Sequence, residues 1–145
     1  MSFCISNINA ISIDDSGPGG SCFTASSSNI TITRGTTFNL IFDLAYNTTE
    51  TDGTITSEPA DLNGYSINGV IRESSSSTTN ILFMSTQNRM ITIDYDTARV
   101  SISIPVKHTN RLPLGSQYYF FRLINSTGNT QKILQGIATI SDSSV

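Results

Sequence analysis

Apolar residues in this chain recur at every second position, in short runs broken by Gly, Asn, Asp, Ser and Thr. Ile30 and Ile32 share one face before a turn at Arg34-Gly35. Phe38, Leu40, Phe42 and Leu44 then alternate with Thr37, Asn39, Ile41 and Asp43, the pattern of a half-buried strand. From Asn47 to Asp61 the composition turns polar around Gly53 and Pro59. That predicts a loop of about 15 residues, a length uncommon in compact domains unless the loop contacts something. Alternation resumes in LNGYSINGVIRES, with Tyr65, Ile67 and Ile71 on one face and Gly69 leaving room for a neighbouring backbone or bulky side chain. A serine-rich turn spans Ser74 to Thr79, and the short apolar piece Ile81 to Met84 suits a sheet edge. Ile91, Ile93 and Tyr95 predict one inner face, Asp96-Thr97-Ala98 a turn, and Val100, Ile102 and Ile104 the next inner face, ended by Pro105.

The richest apolar stretch runs from Thr109 to Ile140. Its tracts QYYFFRLIN and QKILQGIATI are separated by the turn formers Asn125, Ser126, Gly128 and Asn129, which predicts a β-hairpin on which the upstream sheet packs. Tyr118 to Phe121 are four of the chain's twelve aromatic residues and mark the centre of the core. Leu112-Pro113-Leu114-Gly115, placed just before Tyr118 and Tyr119, offers a tyrosine corner, in which a buried hydroxyl bonds back to backbone slightly upstream. No segment of ten or more residues keeps a 3.6 period, so helices are expected to be absent or a single turn. About seven or eight strands in a chain of this length predict an all-β, antiparallel β-sandwich in preference to a closed barrel.

Three regions follow. Residues 1–28, with Ile8, Ala10, Ile11 and Ile13 followed by SGPGGSCFTASSS, read as an extended N-terminal arm. Such an arm is either a frayed terminus or a strand or tether for a neighbouring subunit. Residues 29–142 form the sandwich, and 143–145 a short tail.

Composition narrows the function. At 145 residues the chain has the size of one domain, which buries roughly 68 to 70% of its unfolded surface and needs no staples. Charged residues are 13%, about half the usual share, and the net charge is −3 with the basic residues scattered. That gives no electrostatic case for nucleic acid or an anionic membrane. No run approaches the roughly 18 apolar residues of a membrane span, and MSFCISNINAISIDDS lacks the basic and apolar regions of a signal peptide, so use without secretion is expected. Cys4 and Cys22 allow one bridge and, with a single His in the chain, no metal framework; free thiols are expected. The sequons at Asn29, Asn47 and Asn125 are what chance yields in a chain this rich in Asn, Ser and Thr.

Candidate chemistry is sparse. His108 lies among Lys107, Thr109 and Asn110 with no acidic neighbour to orient it, and reads as a surface residue and not a general base. Asp94 and Asp96 share a strand face, and Asp14-Asp15 are adjacent, but neither pair belongs to the graded oxygen set that Ca²⁺ takes. No pair of carboxylates is singled out for glycoside hydrolysis, and no Gly-rich phosphate motif precedes a helix. The sequence assigns no catalytic residue, no cofactor-binding residue and no metal ligand.

One set of ordered landmarks carries a resemblance. Arg34-Gly35-Thr36-Thr37-Phe38 opens a strand, Asp61-Leu62-Asn63-Gly64-Tyr65 opens the next, and Asp94 to Ile104 forms a hairpin. Thr109-Asn110-Arg111-Leu112-Pro113-Leu114-Gly115 leads into Tyr119, and Leu134-Gln135-Gly136-Ile137-Ala138-Thr139-Ile140 closes the pattern. Over about residues 29–141 the chain resembles the Ig-like β-sandwich N-terminal domains of bacteriophage baseplate and tail proteins, including upper-baseplate proteins that carry receptor-binding proteins. It departs from them in one extra residue between Gly115 and Tyr119, and in Phe121 or Arg122 where an acidic residue often follows the aromatic. The resemblance implies a non-enzymatic structural protein of the virion: a tail, baseplate or neck component or fibre adaptor. Its partners would be other virion proteins, in a symmetric homo-oligomer or ring-bound copies, with no nucleic acid, membrane or cofactor. A capsid decoration protein and a glycan-binding host-adhesion module are the alternatives.

Overall fold

The computed structural model describes residues 2–9, 26–49 and 51–142. Its strands are β1 (Ser2–Asn9), β2 (Ser26–Ser27), β3 (Ile30–Thr33), β4 (Phe38–Thr49), β5 (Ile55–Pro59), β6 (Ser66–Arg72), β7 (Asn80–Ser85), β8 (Ile91–Asp94), β9 (Arg99–Ile104), β10 (Gly115–Ile124) and β11 (Thr130–Ser141). One helical turn, α1 (Val106–Thr109), follows Pro105. The chain is therefore all-β, in two sheets. One sheet has the order β1-β4-β9-β8, with β5 also on β4; the other has the order β2-β11-β10-β6-β7, with β3 also on β11.

The alternation read from the sequence gives the inner faces of β4, β6 and β9, and on β10 every second residue of the aromatic tract joins them. Phe42, Leu40 and Leu44 of β4 and Val100, Ile102 and Ile104 of β9 meet Tyr119, Phe121 and Leu123 of β10 and Ile67 and Ile71 of β6 in one buried cluster. Phe42 and Phe121 touch across the two sheets, with ring centroids 6.4 Å apart. Gly69 stands opposite Phe121 in the β6–β10 ladder, and a Cβ there would overlap the Phe121 ring, as the room expected at that glycine requires. Among the described residues β7 pairs with β6 alone and is the sheet edge expected from its short apolar run.

Several expectations need correction. The polar stretch 47–61 is not a loop: β4 continues to Thr49 and turns back as β5, with Ala45 opposite Pro59 and Thr49 opposite Ile55. The turn is built by Gly53 at φ +88° and by Asp52, whose Oδ1 accepts the Thr54 N–H at 2.9 Å. A hairpin of Thr-rich strands without apolar alternation leaves the period-two signal silent although Thr favours strands. Tyr95 does not continue the β8 inner face; the strand ends at Asp94 and Tyr95 is 47% exposed on the turn. The sandwich is not wholly antiparallel, because β2 and β3 run parallel to β11. After β3 the turn at Arg34–Thr37 carries the chain from one sheet to the other, with Gly35 at φ +82° and the Thr109 hydroxyl donating to the Thr36 carbonyl at 2.8 Å.

Eleven strands are described where about seven or eight were expected, the additional ones being β1, β2 and β5. Within residues 1–28, Ser2–Asn9 pairs antiparallel with β4 and Ser26–Ser27 pairs with Leu134 and Gln135 of β11. The intervening residues 10–25, the tail 143–145, and the side chains of Cys4 and Cys22 lie outside the described residues.

The tyrosine corner is also replaced by something else. Tyr119 is fully buried, and its hydroxyl donates at 2.7 Å to the carbonyl of Ser28, far upstream in the chain and not at the Leu112–Gly115 turn. Tyr118 points the other way and donates to Gln135 Oε1 at 3.0 Å. Burial pushes the Tyr119 phenol well above the ordinary tyrosine range, so it remains a donor.

Candidate docking interface

Alternation on β10 gives that strand two apolar faces. Tyr119, Phe121 and Leu123 face the core, so Tyr118, Phe120 and Arg122 lie on the outer face of the sheet. The ladders place three rows across that face. Ile137, Tyr118, Arg72 and Asn80 form the first, and Gln135, Phe120, Val70 and Phe83 the second. Lys132, Arg122, Asn68 and Ser85 form the third.

A β-bulge completes the third row. Pairing slips between Phe121 and Arg122, so Phe121 lies opposite Leu134 while Arg122 lies opposite Lys132. Ile133 is the extra residue and is buried with Leu134. In an unbroken ladder Lys132 would fall opposite Leu123 and point into the core; the slip moves it to the outer face.

The three cations converge on one ring. Lys132 Nζ lies 4.7 Å, Arg72 Cζ 5.1 Å and Arg122 Cζ 5.9 Å from the Phe120 centroid. This is cation–π range, and the side-chain stems cover the ring so that Phe120 is buried on an outer face. Neutral groups hold the cations in place. Arg72 Nε donates to Asn80 Oδ1 at 2.8 Å, Arg122 Nε to Asn68 Oδ1 at 2.7 Å, and Lys132 Nζ to the Tyr118 hydroxyl at 3.1 Å. The three rows contain no acidic residue, and the Arg99–Asp43 ion pair, at 2.8 Å, lies on the other sheet. Phe83 at 44% and Ile137 at 45% exposure flank the cluster with apolar surface. In chemical terms the face is a cationic platform with aromatic and aliphatic shoulders, carried by the sheet beneath it.

The chain matches no protein-family model and no curated protein.

The residues singled out from the sequence lie away from this platform. His108 sits in α1, and among the described residues no hydrogen bond or ion pair joins its side chain to a carboxylate. Asp94 and Asp96 are at the β8–β9 turn, where Asp94 Oδ1 accepts the Asp96 N–H at 3.0 Å. Asp14 and Asp15 lie outside the described residues. Among those described, no three His, Cys, Asp or Glu side chains gather as a metal site would require. The sequon residues Asn29 and Asn125 are tied into the sheet and its turn: Asn29 Oδ1 accepts the Ile137 N–H at 3.1 Å, and Asn125 Oδ1 accepts the Thr127 and Asn129 N–H groups.

Beside Phe83 and Asn68, at the margin of the platform, lies a depression of about 130 Å³, and another of about 190 Å³ is lined by Thr31, Thr33, Thr36 and Thr37. Both fall below the roughly 300 to 1,000 Å³ of ordinary ligand pockets. Exposed apolar side chains beside arginine and aromatic residues are the composition of a macromolecular contact surface.

Proposed function

We propose that this protein is a non-enzymatic structural protein of a bacteriophage virion, a tail, baseplate or neck component or fibre adaptor, that works by docking. The observation that carries the reading is the outer face of β11-β10-β6-β7: three cations gathered on Phe120, no carboxylate among them, and exposed Phe83 and Ile137 at the margins. Clustered like charges raise the energy of the free surface, and an acidic partner relieves it.

The fold is read as Ig-like. The order β1-β4-β9-β8 corresponds to strands A, B, E and D of that sandwich, and β11-β10-β6-β7 to G, F, C and C′. This correspondence supports the resemblance drawn from the sequence landmarks, and the virion address rests on that resemblance.

Mass spectrometry of separated heads and tails from purified particles tests the assignment. The chain is expected with tails, at a small multiple of about three or six copies as closed rings require. Recovery with heads at hundreds of copies would transfer it to capsid decoration. Absence from particles would sink the structural reading and favour adhesion.

A further inference from the structure

The cationic platform has a complementary surface on the same chain. At the β8–β9 turn, Asp94 and Asp96 flank the exposed Tyr95, and Asp43 lies on the neighbouring strand β4, bonded to Arg99 through Nε at 2.8 Å and Nη2 at 3.2 Å. Asp43 and Asp94 stand on either side of Arg99 in the ladder, and Asp96 follows on the turn, so three carboxylates surround a single cation and the patch is acidic where the platform is basic. The turn belongs to the edge strand β8 of one sheet, whereas the platform is the outer face of the other. With the core between them the two patches cannot meet within one molecule.

We infer that the occupant of the platform is a second copy of this chain, presenting its β8–β9 turn. Asp94 and Asp96 would lie against Arg72, Arg122 and Lys132, with Tyr95 packed beside Ile137 or Phe83. Two different patches joined in this way make a head-to-tail contact, which builds a ring when the rotation closes and a filament when it does not. Four strands about 4.8 Å apart and three rows about 6.6 Å apart give a platform of roughly 400 Å². That is about half the footprint of a standard stable interface, so a single contact is weak and gains strength from closure of a ring.

This inference rests on the reading of the platform as a docking face and names its partner. Sedimentation velocity of the full chain tests it, with protein up to about 1 mM and ionic strength of about 0.01 M, where charges act over about 30 Å. The expected result is reversible self-association that disappears near 1 M salt, where the screening length is about 3 Å. R122E/K132E and D94R/D96R should each weaken association at least about tenfold, and combining all four changes in one chain should restore it. Each variant is checked for the wild-type unfolding midpoint; should R122E/K132E fail to fold, R122Q/K132Q takes its place. A wild-type chain that stays monomeric at low salt overturns the inference. So does association that D94R/D96R leaves unchanged. A monomeric chain whose platform is nonetheless covered in particles would remove the second copy as occupant and leave the docking reading standing.

Discussion

Replacing Phe121 with Ala is expected to destabilise the protein by about 3 to 5 kcal/mol, measured as the loss of unfolding free energy in denaturant. Phe121 is 1% exposed, and its ring is the bridge between the sheets, 6.4 Å from Phe42 and 5.9 Å from Tyr119. The residue beneath it is Gly69, which has no side chain to move into the space the ring leaves. A cavity that cannot collapse places the cost toward the upper part of the range. Phe120→Ala is the internal comparison. Its ring is covered by the stems of Arg72, Arg122 and Lys132, which can settle into the gap, so its cost should be clearly smaller. Equal costs for the two would mean that the inner and outer faces of β10 are assigned wrongly.

Gly136→Ala is expected to cost about 3 kcal/mol, high for the addition of one methyl group. A Cβ at this position would overlap the carbonyl of Ser28, and the obstacle is backbone, which cannot rotate away as a side chain can. Moving Ser28 would break two hydrogen bonds: its N–H to the Gln135 carbonyl at 2.8 Å, and the Tyr119 hydroxyl to its own carbonyl at 2.7 Å. Tyr119 lies directly opposite Gly136 and is fully buried, so a lost partner leaves a polar group without water. A destabilisation under about 0.5 kcal/mol, the usual size at unremarkable surface positions, would show that the segment before β3 is not seated on β11.

The Ser28–Tyr119–Gly136 contact also marks where sequence reading stops. Period-two alternation identified the inner residues of β4, β6 and β9 because each strand has one face in the core and alternates in register with it, whereas on β10 the four aromatics were read together as core and only Tyr119 and Phe121 are. It also anticipated the crowding at Gly69. Tyr119 was legible as a core residue, yet its hydrogen-bond partner was not, since Ser28 lies in a Gly- and Ser-rich stretch with no periodicity and reaches β11 through parallel pairing. The β4–β5 hairpin was missed for the opposite reason: beyond Ala45 the alternation of β4 stops, and the sequence of 46–59 has no period-two apolar run to announce paired strands.

The platform was the least legible part. Arg72, Arg122 and Lys132 are separated in sequence and read as scattered charge, and it takes two antiparallel ladders to bring them to one ring. Regular alternation would have sent Lys132 inward; the bulge at Ile133 reverses that. The available signal was on β10 itself, where Tyr118 and Phe120 alternate with Tyr119 and Phe121. Four successive aromatics cannot all face one core, so two of them had to form a second apolar surface.

The chain has two lysines, Lys132 on the platform and Lys107 in α1, both exposed, and their reactivity compares the platform with a distant surface in one experiment. The decisive measurement is amine acylation of purified particles beside the isolated chain, read residue by residue by mass spectrometry. If the outer face of β11-β10-β6-β7 is a docking surface of a virion protein, Lys132 is protected at least about tenfold in particles relative to the chain diluted far below self-association, while Lys107 shows no comparable protection. Equal labelling of Lys132 in both states would contradict the account.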